Sequence, residues 1–516
     1  MSVTVHAKKA SWALIALAAL AAIAVTVIAL HWPFSQRKVT QSLQETFPAT
    51  VSFQKFHWTY FPHPGCVGEE AVFTWLGSSQ DTPPIVTIRR ITIQAGYLDM
   101  ILRPGYISKI ILEGFAAHVP KIGTKRESTN WKAVQSNTRV GTLIADQSVV
   151  EIARAGDKET LQFMVHALQL RSVERGKPFT YEVSLHNPIP SGEIHARGQF
   201  GPWNSDHAGE TAVSGEATFD RADLSAIEGI SGNLSATQKF WGPLGHLETQ
   251  GTLDIPDFMV KRSKHAIHVA SEFHAFVDGT YGDVFLEHVN VDFLHTRVVS
   301  KGRIAGRTGE PGKSAALEVH VKDGRAQDVL RPFVSEAKSP LNGTVSFRAE
   351  VTIPPGEEPF LEKVRIVGDF GVAGGEFTKP STQKDVDVFS GKALGEKISN
   401  KDAPGDADDD PQRAISNLAG HAEIVHATAK FDNLSFNVPG ASAEMHGTYG
   451  LETEKIDLHG TLKTDTELSH MTGGVKSALL KPFDIFFKRK HAGAVAPVRL
   501  VGTYHHPEPG LDLPVK

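Results

Sequence analysis

One stretch constrains this chain before any other. Trp12 to Leu30, WALIALAALAAIAVTVIAL, contains no charge, glycine or proline. About 20 helical residues at 1.5 Å rise span roughly 30 Å, the thickness of a bilayer's hydrocarbon core. Lys8 and Lys9 precede the run. Trp12 and Trp32 mark its ends, where amphipathic rings suit the membrane interface; Leu20 and Leu30 lie within it, and Pro33 stops the helix. A cleaved signal peptide wants a shorter apolar core and a small-x-small site, and Ala29-Leu30-His31-Trp32-Pro33 does not supply one. The reading is an uncleaved anchor, with residues 1–11 as a cytoplasmic tail and 12–32 as a transmembrane helix. Lys8 and Lys9 compete with Arg37 and Lys38 as orientation signals. The short N-terminal tail decides for N-inside, so the bulk of the chain is exported.

No later run is long and apolar enough for a second span. The net charge of −5, with no large basic block, argues against a nucleic-acid partner. Cys66 is the only cysteine among 516 residues. No internal disulfide or cysteine zinc cluster is therefore available, and burial and strand pairing must hold the exported part together.

That part reads with period two. Val345, Phe347, Ala349, Val351 and Ile353 alternate with Ser346, Arg348, Glu350 and Thr352, up to Pro354-Pro355-Gly356. This is a strand with one apolar and one wet face. Val289-Val291-Phe293, Leu317-Val319-Val321, Leu161-Phe163-Val165 and Val86-Ile88 with Ile91-Ile93 are similar. Asp278-Gly279, Tyr281-Gly282-Asp283, Asp323-Gly324 and Asn342-Gly343 read as turns between them. The class is mainly β. Alternation alone accommodates both a closed sandwich and an open groove.

Three segments depart from this pattern. Residues 37–47 form a short helix with Val39, Leu43 and Phe47 on one face. Residues 391–413, GKALGEKISNKDAPGDADDDPQR, are polar and acidic and read as a disordered loop or linker. Near 473–490 an amphipathic helix is expected, kinked at Pro482. Leu479, Phe483, Phe486 and Phe487 give it an apolar face, and Lys488, Arg489 and Lys490 end it. This segment either docks on a membrane, with the basic residues meeting anionic head groups, or packs on the last sheet.

Several stretches, in order, resemble the AsmA-like family: LDMILRPGYISKIILEGFAAHVPK (98–121), Asn130-Trp131, NPIPSGEIHARGQFGPW (187–203), GTLDIPDFMV (251–260), VDGTYGDVFLEHVNVDFLHTRVVSKGRIAG (277–306), and the tail 446–514 closing on GTYHHP. The resemblance implies an inner-membrane, single-pass protein with its bulk in the periplasm. Its long, mostly antiparallel sheet would curl into an apolar groove that carries phospholipid toward the outer membrane. Residues 33–390 would be the main β region and 414–516 the C-terminal region. Val289, Val291, Phe293, Val345, Phe347, Ala349, Val351 and Ile353 are the candidate lining. The partners implied are the membrane, phospholipids and envelope proteins at either end. The alternative is an anchored scaffold that assists assembly of outer-membrane proteins or envelope complexes, with an ordinary packed β core.

Motifs for chemistry are weak. GRTGEPGKS (306–314) places one residue too many before Gly312-Lys313-Ser314 for a phosphate loop, and the strand-like AALEVHV follows, where a helix is required; a hairpin turn explains it better. His265 and His268 have odd spacing, which on a strand sends them to opposite faces. DADDD (406–410) lacks the glycine and distal glutamate of a calcium loop. No residue is assigned a catalytic, cofactor-binding or metal-ligating role, and no enzymatic activity is expected.

Overall fold

The computed structural model describes residues 32–46, 49–75, 84–119, 138–152, 160–204, 206–261, 263–306, 312–356, 358–394, 416–464, 495–503 and 506–512. The anchor residues Trp12, Leu20 and Leu30 lie outside these, as do residues 395–415 and the amphipathic stretch with Leu479, Phe483, Phe486, Phe487, Lys488, Arg489 and Lys490. Among the described residues no helix is long and apolar enough to cross a membrane. Strands hold 67 % of them, which sets the class as mainly β. The chain folds as two units that exchange between residues 187 and 208, where the sequence suggests one uninterrupted region from 33 to 390.

Unit 1 begins with helix α1 (Gln36–Thr46) and strands β1 (Ala49–Ser52), β2 (Lys55–Thr59), β3 (Gly65–Trp75) and β4 (Val86–Gln94). Helix α2 (Tyr97–Leu102) follows, then β5 (Tyr106–Val119), β6 (Arg139–Ile152), β7 (Leu161–Val173) and β8 (Phe179–Pro188). β1 and β2 share one edge of β3, with Val51 opposite Phe73 and Trp58 opposite Cys66. From β3 to β8 each strand pairs with the next, antiparallel except for β5 and β6. A parallel pair needs a crossover rather than a tight turn. α1 is a helix because Val39 and Leu43, one turn apart, both reach the core of Phe34, Val51, Phe73, Ile88 and Ile91. Glu70, Gly114 and Gln147 take positive φ at the same level of β3, β5 and β6. The side-chain alternation changes phase there, so Ile88 and Ile91 are both buried despite their odd spacing.

Trp32, expected at a membrane interface, belongs to this core. Its ring stands edge-on to Phe34 at 5.7 Å and lies 4.6 Å from Tyr60. The indole finds apolar neighbours within the fold itself, because Pro33 turns the chain back onto the sheet just after it.

Strand β9 (Ser191–Phe200) divides between the units. Unit 2 carries β10 (Ala212–Asp223), β11 (Ile230–Ser231), β12 (Asn233–Pro243), β13 (Leu247–Val260), β14 (Ala266–Val277), β15 (Val284–Phe293), β16 (Thr296–Gly306) and β17 (Lys313–Arg325). It continues through α3 (Ala326–Leu330), β18 (Leu341–Ile353), α4 (Phe360–Lys363), β19 (Arg365–Phe377) and α5 (Pro380–Ala393). Then come β20 (Ser416–Val425), β21 (Thr428–Val438), β22 (Ala441–Gly450), β23 (Lys455–Thr464), β24 (Val495–Thr503) and β25 (His506–Leu511). β10 pairs with β12, β11 caps one end of β13, and every strand from β12 to β25 is antiparallel to the next.

The expected curl is absent: the sheet is uncurled. Closing a sheet requires its first and last strands to meet. Among the described residues β25 pairs with β24 and with no other strand, and Pro507 and Pro509 remove two N–H donors from it. Two expected turns are also bulges within strands. Asp323-Gly324 lies in β17, where Asp323 has φ 53° and the register shifts between Val321 and Gly324. Asn342-Gly343 lies in β18 at a shift against β19. The acidic stretch begins later than the sequence suggests, because residues up to Ala393 belong to α5 and Ala393 is fully buried.

An apolar sheet face as the candidate functional site

Residues directly opposed across a ladder project to the same side of a sheet. In unit 2 one transverse row can therefore be followed strand by strand from β10: Phe219 faces Ala236, then Leu253, Ser271, Val291, Val298, Val321, Phe347, Phe370 and Gly420. Across the next ladder Phe431 stands opposite Ala422, two residues beyond Gly420, with its ring 6.2 Å from that of Phe370 in a T-shaped contact. From Phe431 a second row continues through Gly447, Leu458 and Leu500. Only Ser271 breaks the apolar character.

The candidate lining falls on this face. Phe347, Ala349, Val351 and Ile353 of β18 stand opposite Val321, Val319, Leu317 and Ala315 of β17. Val289, Val291 and Phe293 stand opposite Phe273, Ser271 and Val269 of β14. A bulge at Glu287-His288 keeps Leu286 on the same face as Val289 despite their odd spacing. These side chains are half-buried, with one exception. Val345 is buried with Val321, Val372 and Ala326 of α3, so it belongs to a packed end of the face rather than to its open lining.

Helices cover that end. Val329 of α3 packs over Val321, Val345 and Val372. Val386, Phe389 and Ala393 of α5 pack on Val438, Ala441, Ala443, Leu462, Ala496 and Val498. Ser390 of α5 donates its hydroxyl to Pro439 O at 2.7 Å, tying the helix to the β21–β22 turn. α3 is held by Asp328, whose carboxylate accepts from His295 N at 2.9 Å and from the Thr296 hydroxyl at 3.1 Å.

The opposite face is wet and charged. Thr252, Glu272, Asn290, Val299, His320, Arg348 and Asp369 form one of its rows. His421 Nδ1 lies 2.8 Å from Asp369. Arg297 grips Asp292 through two nitrogens at 2.7 Å and holds that carboxyl below its ordinary pKa. His274 has Glu248 at 2.9 Å from Nε2 and Glu287 at Nδ1, and hydrogen bonding to Glu248 first, then to Glu287, raises its pKa. His459, between Asp512 and Asp457, is raised in the same way.

His274, Glu287 and His288 bring one ligand atom each within 4.8 Å of one another. With a carboxylate at each nitrogen of His274, the group is built as an ion-pair network. His265 and His268 do not converge: His265 meets Glu336 O, and His268 meets Asp254. Gly306 and Lys313 face each other as antiparallel partners of β16 and β17, Lys313 is bound to Asp283 and Tyr281 O, and residues 307–311 of the loop-like motif lie outside the described residues.

Sequence reasoning missed Phe370, Phe431, Leu458 and helix α5. Gly368, Gly371, Gly447 and Gly460 interrupt the alternation of their strands, and only pairing with neighbours shows these residues to share a face. No protein-family profile, curated protein or solved structure matches the chain.

Proposed function

We propose that this protein is a membrane-anchored lipid carrier of the periplasm, in which the apolar face of unit 2 shields phospholipid acyl chains on their way between inner and outer membrane. It would thereby sustain the lipid balance of the outer membrane. The observation that carries the reading is the apolar row from Phe219 to Leu500, half-buried over most of its length and covered by helices at one end. An apolar surface of this extent calls for an occupant. Each CH₂ taken from water onto it contributes about 0.8 kcal/mol. Displacement from one strand to the next exchanges like contacts for like, so barriers along the row are low. Head groups would remain at the wet margin, and the mechanism requires no bond to be made or broken. The anchor at 12–30 and the AsmA-like resemblance give the reading its membrane and its periplasmic setting.

The test is mass spectrometry of organic extracts from residues 32–516, exported and purified without detergent. The fragment starts at 32 because Trp32 and Phe34 belong to the core. Phospholipid should accompany the wild type and be lost from a folded Phe347→Asp variant. A folded wild type free of lipid would refute the proposal and favour the scaffold.

A further inference from the structure

In unit 1, α2 is amphipathic in the wrong sense for a helix of a closed fold. Its inward contact is Met100, which packs on the core of β3 and β4. Leu98, Ile101 and Leu102, at i, i+3 and i+4, share the other face and are 73 %, 65 % and 73 % exposed. Beside them, in the loop after β2, Phe61 is 88 % exposed. The Tyr97 hydroxyl donates to Tyr60 O, and Ala95 N to Pro64 O at 2.8 Å, so helix and loop are one patch. Four large apolar side chains clustered in the open are rare on a water-facing surface.

The position of the patch identifies its occupant. Trp32, the first described residue after the apolar run 12–30, lies with its ring 4.6 Å from that of Tyr60. A chain leaving a bilayer at residue 31 therefore emerges beside this patch. Arg103, at the C-terminal end of α2, is exposed at the margin of the patch and lies 3.7 Å from Asp99 of the same helix. Tyr60 and Tyr97, each about half-exposed, supply the amphipathic rings that favour the interface.

We propose that Phe61, Leu98, Ile101 and Leu102 form a foot that inserts into the leaflet from which the anchor emerges, seating unit 1 on the membrane. The inference rests on the anchored reading of residues 12–30 but not on lipid binding by unit 2. Such a foot would fix unit 1 against the bilayer by two attachments, where a single helix followed by a loop would leave it free to swing.

The experiment uses the full chain reconstituted in vesicles of phosphatidylethanolamine and phosphatidylglycerol. Leu102→Cys is labelled with an environment-sensitive fluorophore; Cys66, the only native cysteine, is buried and stays unlabelled. Arg175→Cys, exposed in the β7–β8 turn, is the reference site. The expected result is a blue shift and quenching by nitroxide-bearing lipid at position 102 that exceed those at 175, and their loss when Leu98→Asp and Ile101→Asp are added. Since all three side chains are exposed, circular dichroism should report an unchanged fold. Equal, solvent-like signals at 102 and 175 in a chain that floats with the vesicles would overturn the foot and leave the anchor standing. Quenching that survives the two aspartates would overturn it as well. A chain that does not float with the vesicles would overturn both. None of these outcomes depends on whether Phe347→Asp loses lipid, so this proposal and the carrier can fail separately.

Discussion

Phe347 and Phe370 stand directly opposite each other across the β18–β19 ladder, on the apolar side of the sheet. Their neighbours along the strands, Arg348 and Asp369, stand opposite each other on the wet side. A charge at 347 or 370 therefore interrupts the apolar row, whereas a charge at 348 does not. Phe347→Asp and Phe370→Asp should each abolish lipid co-purification and cost about 1–3 kcal/mol of unfolding free energy, within the common range for point substitutions. Arg348→Asp should retain lipid, while setting a second carboxylate opposite Asp369 costs about 0.2–1 kcal/mol. Lipid extraction and urea denaturation of the three variants check both statements. Equal lipid retention in all three would remove the apolar row from the mechanism.

Asp328 carries the junction between β16, α3 and the end of β17. It is buried, it accepts from His295 N and the Thr296 hydroxyl, and that hydroxyl accepts in turn from Arg325 N at 2.9 Å. Asp328→Ala removes the acceptor and leaves buried donors unmatched, a loss of about 1–3 kcal/mol. Asp328→Asn keeps one carbonyl acceptor and should recover part of it. Urea midpoints of the two variants measure the difference.

The sequence makes the strips legible where alternation is unbroken. Val345 to Ile353 runs without interruption, and its pairing with Ala315 to Val321 follows from matching apolar phases. Bulges and glycines end that legibility. At Glu287-His288 the strand gains a residue, so Leu286 and Val289 share a face that a period of two assigns to opposite sides. Asp323-Gly324 and Asn342-Gly343 carry the residue types of turns but serve bulges, because turn and bulge make the same demand on backbone conformation. Helix α5 escapes notice because its apolar inward residues, Val386, Val388, Phe389 and Ala393, lie among Ser, Thr, Asp and Lys, and tertiary burial rather than propensity holds them. The outward stripe of α2, Leu98, Ile101 and Leu102, lies in a stretch that the sequence marks only as part of the AsmA-like resemblance. A helix of six residues is too short for its periodicity to say which face turns inward.

Cys66 reports on the unit 1 core. It faces Trp58 across β2–β3, is buried, and burial pushes its thiol up to about 12. The thiolate is the reacting species, so the folded protein should resist maleimide at neutral pH and label only on opening. In urea, labelling should rise with the same midpoint as the loss of β-sheet circular dichroism in unit 1. Val39→Ala, which removes a buried contact of α1 from the same core, should shift that midpoint downward by about 0.5–3 kcal/mol in free energy. Rapid labelling of the untreated protein would contradict the burial of Cys66.

The wet face gives stability a pH dependence whose sign is set. His274, held by Glu248 and then Glu287, and His459, held by Asp512 and then Asp457, both have folded pKa values above the ordinary 6.5. A group that binds its proton more tightly when folded stabilises the fold fully below its unfolded pKa. That contribution is lost as pH rises through the folded value. Asp292, lowered mainly by its hydrogen bond to Arg297, and Asp257, lowered mainly by the backbone N–H of Asn233, act in the opposite direction. Their stabilisation is present above the usual carboxylate range and is lost as pH falls through their lowered folded values. The urea midpoint should therefore decline as pH rises above the ordinary histidine value of 6.5, and again in acid as pH falls below the usual carboxylate range. All four groups are half-buried at the sheet surface, within reach of solvent, so each slope is shallow and salt should flatten it. His274→Gln and His459→Gln should each reduce the decline on the alkaline side while leaving the acid limb in place. Arg297→Gln should do the reverse, and a histidine variant that altered only the acid limb would invert the assignment.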